Sequence, residues 1–145
     1  MNTKLLAAAA ALTFVSTLAL AQEPRPFTEG AVSTVASVRT KPGMFNAYMK
    51  WLDTKYKSLM DDEKKAGIIV DYAVYEVMPR SPHDPDLYLV VTYKNYAALD
   101  GLDDKVEPLA RKIFATRDAA DKATAERESI REILGTQVIR NLMLK

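Results

Sequence analysis

The sequence contains no cysteine and a single histidine, and its charges nearly cancel. Without cysteine there is no disulfide, thiol nucleophile, thiolate zinc site or iron–sulfur cluster. Attachment of a lipid to a cysteine at a leader cleavage site is excluded for the same reason. Lys4 is the only charge before residue 22, and setting it aside leaves 19 basic against 19 acidic residues. A neutral chain has no electrostatic footprint for nucleic acid or for an anionic membrane surface, so neither is expected as a partner. Glycine-rich phosphate loops, a G-x-S-x-G elbow and a D-x-D-x-D-G calcium loop are all missing. A serine nucleophile would have only His83 as its histidine partner.

What is present begins with a leader. Met1 to Lys4 supply an amino group and one lysine, and Leu5 to Ala21 are apolar or small, ending Ala19-Leu20-Ala21. This pattern predicts a signal peptide over residues 1–21, cleaved after Ala21, and a periplasmic or secreted product. The apolar stretch is rich in alanine, interrupted by Thr13, Ser16 and Thr17, and too short for a stable span, so no membrane insertion is expected after cleavage. Exported without disulfides, the domain must be held by its core alone, which suits a bacterial periplasm. Residues 22–30 show no periodicity and are expected to form a flexible tail ahead of a single domain over 31–145.

Within that domain, Ala31 to Thr40 is small or β-branched, with Val32, Thr34, Ala36 and Val38 on one face, and reads as a strand. Lys41-Pro42-Gly43 ends it. Met44, Phe45, Tyr48, Trp51, Leu52, Tyr56, Leu59 and Met60 then recur at helical spacing, predicting about five turns of amphipathic helix closed by Gly67. Ile68 to Met78 and Leu87 to Tyr93 read as two strands joined by a Pro-rich loop. Asn95 is a candidate N-cap for a short helical stretch up to Leu102. A further helix is expected from Asp103-Asp104, with Pro108 in its first turn, and a charged, alanine-rich one over Asp118 to Leu134, stopped by Gly135. Thr136 to Leu144 alternates and reads as a final strand. The order βαββαβ predicts an α+β, ferredoxin-like domain: a four-stranded antiparallel sheet with helices on one face. The uncovered face calls for a second copy of the chain, so a homodimer is expected.

The run Val38-Arg39-Thr40-Lys41-Pro42-Gly43-Met44-Phe45-Asn46-Ala47-Tyr48 resembles the strand-to-helix corner of the dimeric α/β-barrel superfamily, which includes the NIPSNAP, antibiotic-biosynthesis-monooxygenase and stress-responsive families. The similarity extends to the run from Leu87 to Leu99 and to Ile130-Arg131-Glu132-Ile133-Leu134-Gly135, and is greatest to secreted bacterial members whose activity is uncharacterised. It implies a barrel formed by two sheets across a dimer interface, with a pocket between sheet and helices in each subunit. The superfamily hosts many chemistries, so the resemblance bears on fold more than on activity.

The candidate chemistry is sparse. His83 stands beside Asp84 and Asp86 in the Pro-rich loop, where such residues usually serve as solvated turn chemistry; no metal site and no cofactor are expected. Asp61-Asp62-Glu63 reads as an exposed polar helix end and Asp103-Asp104 as dipole-favoured residues at a helix start. In the pocket that the resemblance implies, Tyr48, Trp51 and Tyr88 are candidates for aromatic stacking on a ligand, with Arg39 as charged anchor; their simpler role is core and interface packing. Three functions follow: binding of a small apolar or aromatic molecule, cofactor-independent monooxygenase-like catalysis with no recognisable catalytic constellation, and non-catalytic protein interaction.

Overall fold

The computed structural model describes residues 24–145; the leader, its cleavage point and the start of the tail lie outside them. Four strands form one antiparallel sheet in the order β2-β3-β1-β4, where β1 is Phe27–Thr40, β2 Asp71–Glu76, β3 Leu87–Tyr93 and β4 Arg131–Leu144. Between β1 and β2 the chain is helical from Phe45 to Lys65, as α1 (Phe45–Trp51), a π-helical turn (Leu52–Tyr56) and α2 (Lys57–Lys65). A 3₁₀ turn (Tyr96–Leu99), α3 (Leu102–Phe114) and α4 (Arg117–Ile130) connect β3 to β4. The fold is therefore the ferredoxin-like α+β arrangement, with all helices on one face.

Local chemistry explains the corners. The Asp86 carboxylate accepts from both the backbone N–H and the hydroxyl of Thr40, each at 2.6 Å, tying the end of β1 to the start of β3. Gly67, at φ +72°, closes α2: its N–H reaches the Lys64 carbonyl while that of Ile68 reaches Glu63, the paired bonds that let a helix end in a left-handed residue. Asn95 caps the 3₁₀ turn by accepting from the Ala98 N–H.

The core lies between sheet and helices in two adjoining clusters. Val38, Tyr48, Leu52 and Leu87 form one, and Met60, Ile69 and Tyr93 the other; half-buried Tyr56 packs against both. Their strand members alternate as one face requires: Val32 and Val38 on β1, Leu87 and Tyr93 on β3. Ser33, Val35, Ser37, Tyr88, Val90, Ala73, Tyr75 and Ile139 fall on the other face, which nothing covers among the described residues.

Three expectations are corrected. The tail does not stay free up to residue 30, because Phe27, Thr28 and Glu29 pair with Leu144, Met143 and Leu142. The last helix stops at Ile130 instead of Leu134, since Val38, Arg39 and Thr40 offer strand partners to Ile133, Glu132 and Arg131; Gly135 lies within β4, paired with Ser37 beside a bulge. Pro108 is not in a first turn but inside α3, which starts at Leu102.

Candidate functional site

The π-helical turn lies in the middle of the long helix, and its Leu52 is buried against Val38 and Leu87 of the sheet. The Lys57 N–H bonds to the Leu52 carbonyl, five residues back, while the Thr54 hydroxyl occupies the Lys50 carbonyl at 2.8 Å. A hydroxyl competing for the helical acceptor is a physical reason for the ladder to slip there, and such single turns often accompany functional sites.

Below this turn is a cavity of about 230 Å³ lined by Met49, Leu52, Asp53, Tyr56, Lys57, Tyr72 and Val74. Its walls are mainly apolar, with Asp53 and Lys57 exposed at the mouth. Tyr56 and Tyr72 meet edge to face, with centroids 6.0 Å apart. The Tyr72 hydroxyl donates to Asp61 at 2.7 Å; burial and that carboxylate raise the phenol to about 12, and the same bond holds the Asp61 carboxyl below its ordinary range. The Tyr56 hydroxyl is buried and has no hydrogen-bond partner, and burial, with smaller contributions from Tyr48, Glu63, Tyr93 and Tyr72, pushes it far above the usual phenol range. It is thus a neutral donor, unsatisfied within the chain.

Glu63 is 3% exposed, and burial lifts its carboxyl to about 7. The exposed helix end expected at Asp61-Asp62-Glu63 is therefore wrong at its third residue. Leu52, Tyr56, Met60 and Glu63 follow one another at helical spacing, so Glu63 continues the apolar stripe and that spacing was the available signal.

The four residues proposed from sequence do not form one site. Tyr48 and Trp51 are stacked on the helix side, centroids 6.1 Å apart and planes 4° from parallel. Arg39 and Tyr88 lie on the opposite face of the sheet, because each neighbours a residue, Val38 or Leu87, that points into the helical core. Arg39 donates to the Pro82 carbonyl at 2.6 Å and pairs with Glu132 at 2.8 Å, so it anchors a loop and an edge strand. The cations over the Tyr48–Trp51 pair are instead Arg127, 4.6 Å from the Trp51 centroid, and Arg131, 5.7 Å from that of Tyr48. His83 is exposed in its loop, and among the described residues no group of three or more histidine or acidic side chains is placed to hold a metal ion.

No protein-family model matches the chain, and no curated protein matches it. Solved structures do resemble it. HapK from Hahella chejuensis superposes with a TM-score of 0.51 at 11% identity, covering 76% of this chain and 91% of that one. Protein SO0527 from Shewanella oneidensis gives 0.50 at 16% identity, over 81% and 96%. A dimeric ferredoxin-like protein from an uncultured marine organism gives 0.48 at 11% identity, over 81% and 90%. At such identities the likeness to HapK and SO0527 bears on the fold alone, in keeping with the ferredoxin-like order of strands and helices, and leaves activity to be argued from the site.

Proposed function

We propose that the protein is an exported, periplasmic or secreted homodimer of the dimeric α/β-barrel type, similar to the NIPSNAP and antibiotic-biosynthesis-monooxygenase families, that binds a small apolar or aromatic molecule. The observation that carries the binding reading is the cavity beneath the π-helical turn, with apolar walls and one buried, partnerless donor, the Tyr56 hydroxyl. A pocket of this composition holds a ligand by surface burial and orients it by its few polar groups. At about 230 Å³ it admits a one- or two-ring molecule. Binding is favoured over monooxygenase-like catalysis because the cavity offers mainly apolar walls and a single buried, partnerless hydrogen-bond donor.

Native mass spectrometry of protein purified from the periplasm, followed by titration with phenol and 4-methylphenol, tests this reading. The expected result is a dimer that begins at Gln22 and takes up one phenol per subunit. Tyr56→Phe should weaken phenol by about fivefold or more, the loss expected for one buried hydrogen bond, and Val74→Trp should abolish uptake. Uptake unchanged in Val74→Trp would remove the cavity from the argument, and a monomer would remove the barrel.

A further inference from the structure

We propose that Arg131, supported by Arg127, is a binding site for a small organic carboxylate, distinct from the cavity under the π-helical turn. Arg131 is the first residue of β4, paired with Thr40 on the helix-facing side, and its guanidinium lies over Tyr48. It is 7% exposed, yet its Nε has no acceptor, and no carboxylate of the described residues lies within ion-pair distance of it. Arg127, one turn earlier on α4, covers Trp51; its Nε is also buried without an acceptor, and its only side-chain hydrogen bond is with the Thr124 hydroxyl, at 3.3 Å. Two guanidinium groups thus stand on a stacked aromatic pair with no carboxylate in ion-pair contact with either, and Glu128 is the nearby charge that partly offsets Arg127.

Withdrawing a guanidinium from water without a counter-charge is unfavourable, and a second one beside it adds repulsion. That repulsion, after burial, pushes Arg127 below its ordinary range. The arrangement is relieved by an anion entering the depression of about 430 Å³ that Arg131 lines together with Lys41, Glu128, Glu132 and Ile133. The planar guanidinium fork matches a carboxylate, which can bond it in pairs. Glu128 and Glu132 on the same wall set the charge class: they repel a phosphate dianion more than a monocarboxylate, and Ile133 gives the ligand an apolar side to rest on.

Trp51 is the only tryptophan and has Arg127 over its ring, so its fluorescence reports an anion at this pair directly. The experiment titrates the mature protein with sodium benzoate, sodium acetate and inorganic phosphate at constant ionic strength, following Trp51 emission and the melting temperature. Saturable benzoate binding is expected, weaker for acetate and weakest for phosphate, with a melting temperature that rises with benzoate. Arg131→Gln should weaken benzoate by about tenfold or more, and Arg131→Lys by less. Should Arg131→Gln fail to fold, Arg127→Gln carries the same expectation, because α4 buries no residue completely. The proposal is overturned by the absence of saturable benzoate binding to the wild-type protein, by phosphate binding as tightly as benzoate, or by a folded Arg131→Gln protein that binds benzoate unchanged. Phenol uptake into the cavity, read with Tyr56→Phe, is independent of all three outcomes.

Discussion

Among single residues, Glu63 has the clearest consequence for stability. Its carboxyl is buried on the apolar side of α2, and desolvation alone lifts it from 4.5 to about 7. Between those values the folded chain retains a proton that the unfolded chain has released, so stability falls as pH rises. The contribution is fully present below about pH 4.5, declines through neutrality and is gone above about pH 7, a total of roughly 3 kcal/mol. Glu63→Gln, neutral at every pH, should abolish that decline and melt higher than the wild type at pH 8. Thermal melts of both proteins from pH 5 to pH 8 check this, and parallel curves would show that the carboxyl is hydrated in the folded state.

At the scale of elements, the start of β1 is the informative piece. Phe27 to Glu29 join the sheet through β4, Glu29 pairs with Arg140, and the Lys145 N–H reaches the Pro26 carbonyl. A chain beginning at Pro24 should melt like the mature protein, whereas one beginning at Ala31 should lose about 2 kcal/mol, near 8 °C for a domain of this size. Equal melting temperatures for the two truncations would mean that this stretch of strand adds nothing. No local pattern in residues 26–30 announced it, because the stretch is extended by its partner over a hundred residues away. The α4–β4 junction failed for a related reason: Ile130, Ile133 and Leu134 satisfy helical spacing, and the pairing that Val38 to Thr40 offer to residues 131–133 puts the last two of them in a strand. By contrast, β3 and the long helix were legible because their apolar periods are strong and their ends carry proline, asparagine or glycine. Of the candidate site, the stacked Tyr48 and Trp51 were visible in that helical period. Arg127 and Arg131 were not, since a basic pair at a four-residue spacing looks like any solvated face until the aromatic rings beneath it are placed.

For the whole molecule, the apolar surface still to be covered lies on β4, an edge strand, and on the bare side of the sheet. Among the described residues, six of the eleven exposed large hydrophobics are on β4: Ile133, Val138, Ile139, Leu142, Met143 and Leu144. A solvated edge strand of this composition is an invitation to further pairing, and a barrel of two sheets is the arrangement that would bury it. Covering some 800 Å² of apolar surface per partner is worth on the order of 20 kcal/mol before association entropy is subtracted, enough for a stable dimer. The two sides of β4 distinguish how the copies meet. Ile139, opposite Ser33, lies on the face away from the helices with Val35, Val90 and Tyr75, while Leu142 alternates to the other side. If the bare faces close on each other, Ile139→Asp buries an unpaired carboxylate and should raise the dimer dissociation constant by about 100-fold or more, whereas Leu142→Asp should leave a dimer. Sedimentation velocity over a concentration series reads both. A monomer from Leu142→Asp with an intact dimer from Ile139→Asp would mean that the copies join through the helix side of the edge strand, and the two-sheet barrel would then be the wrong assembly.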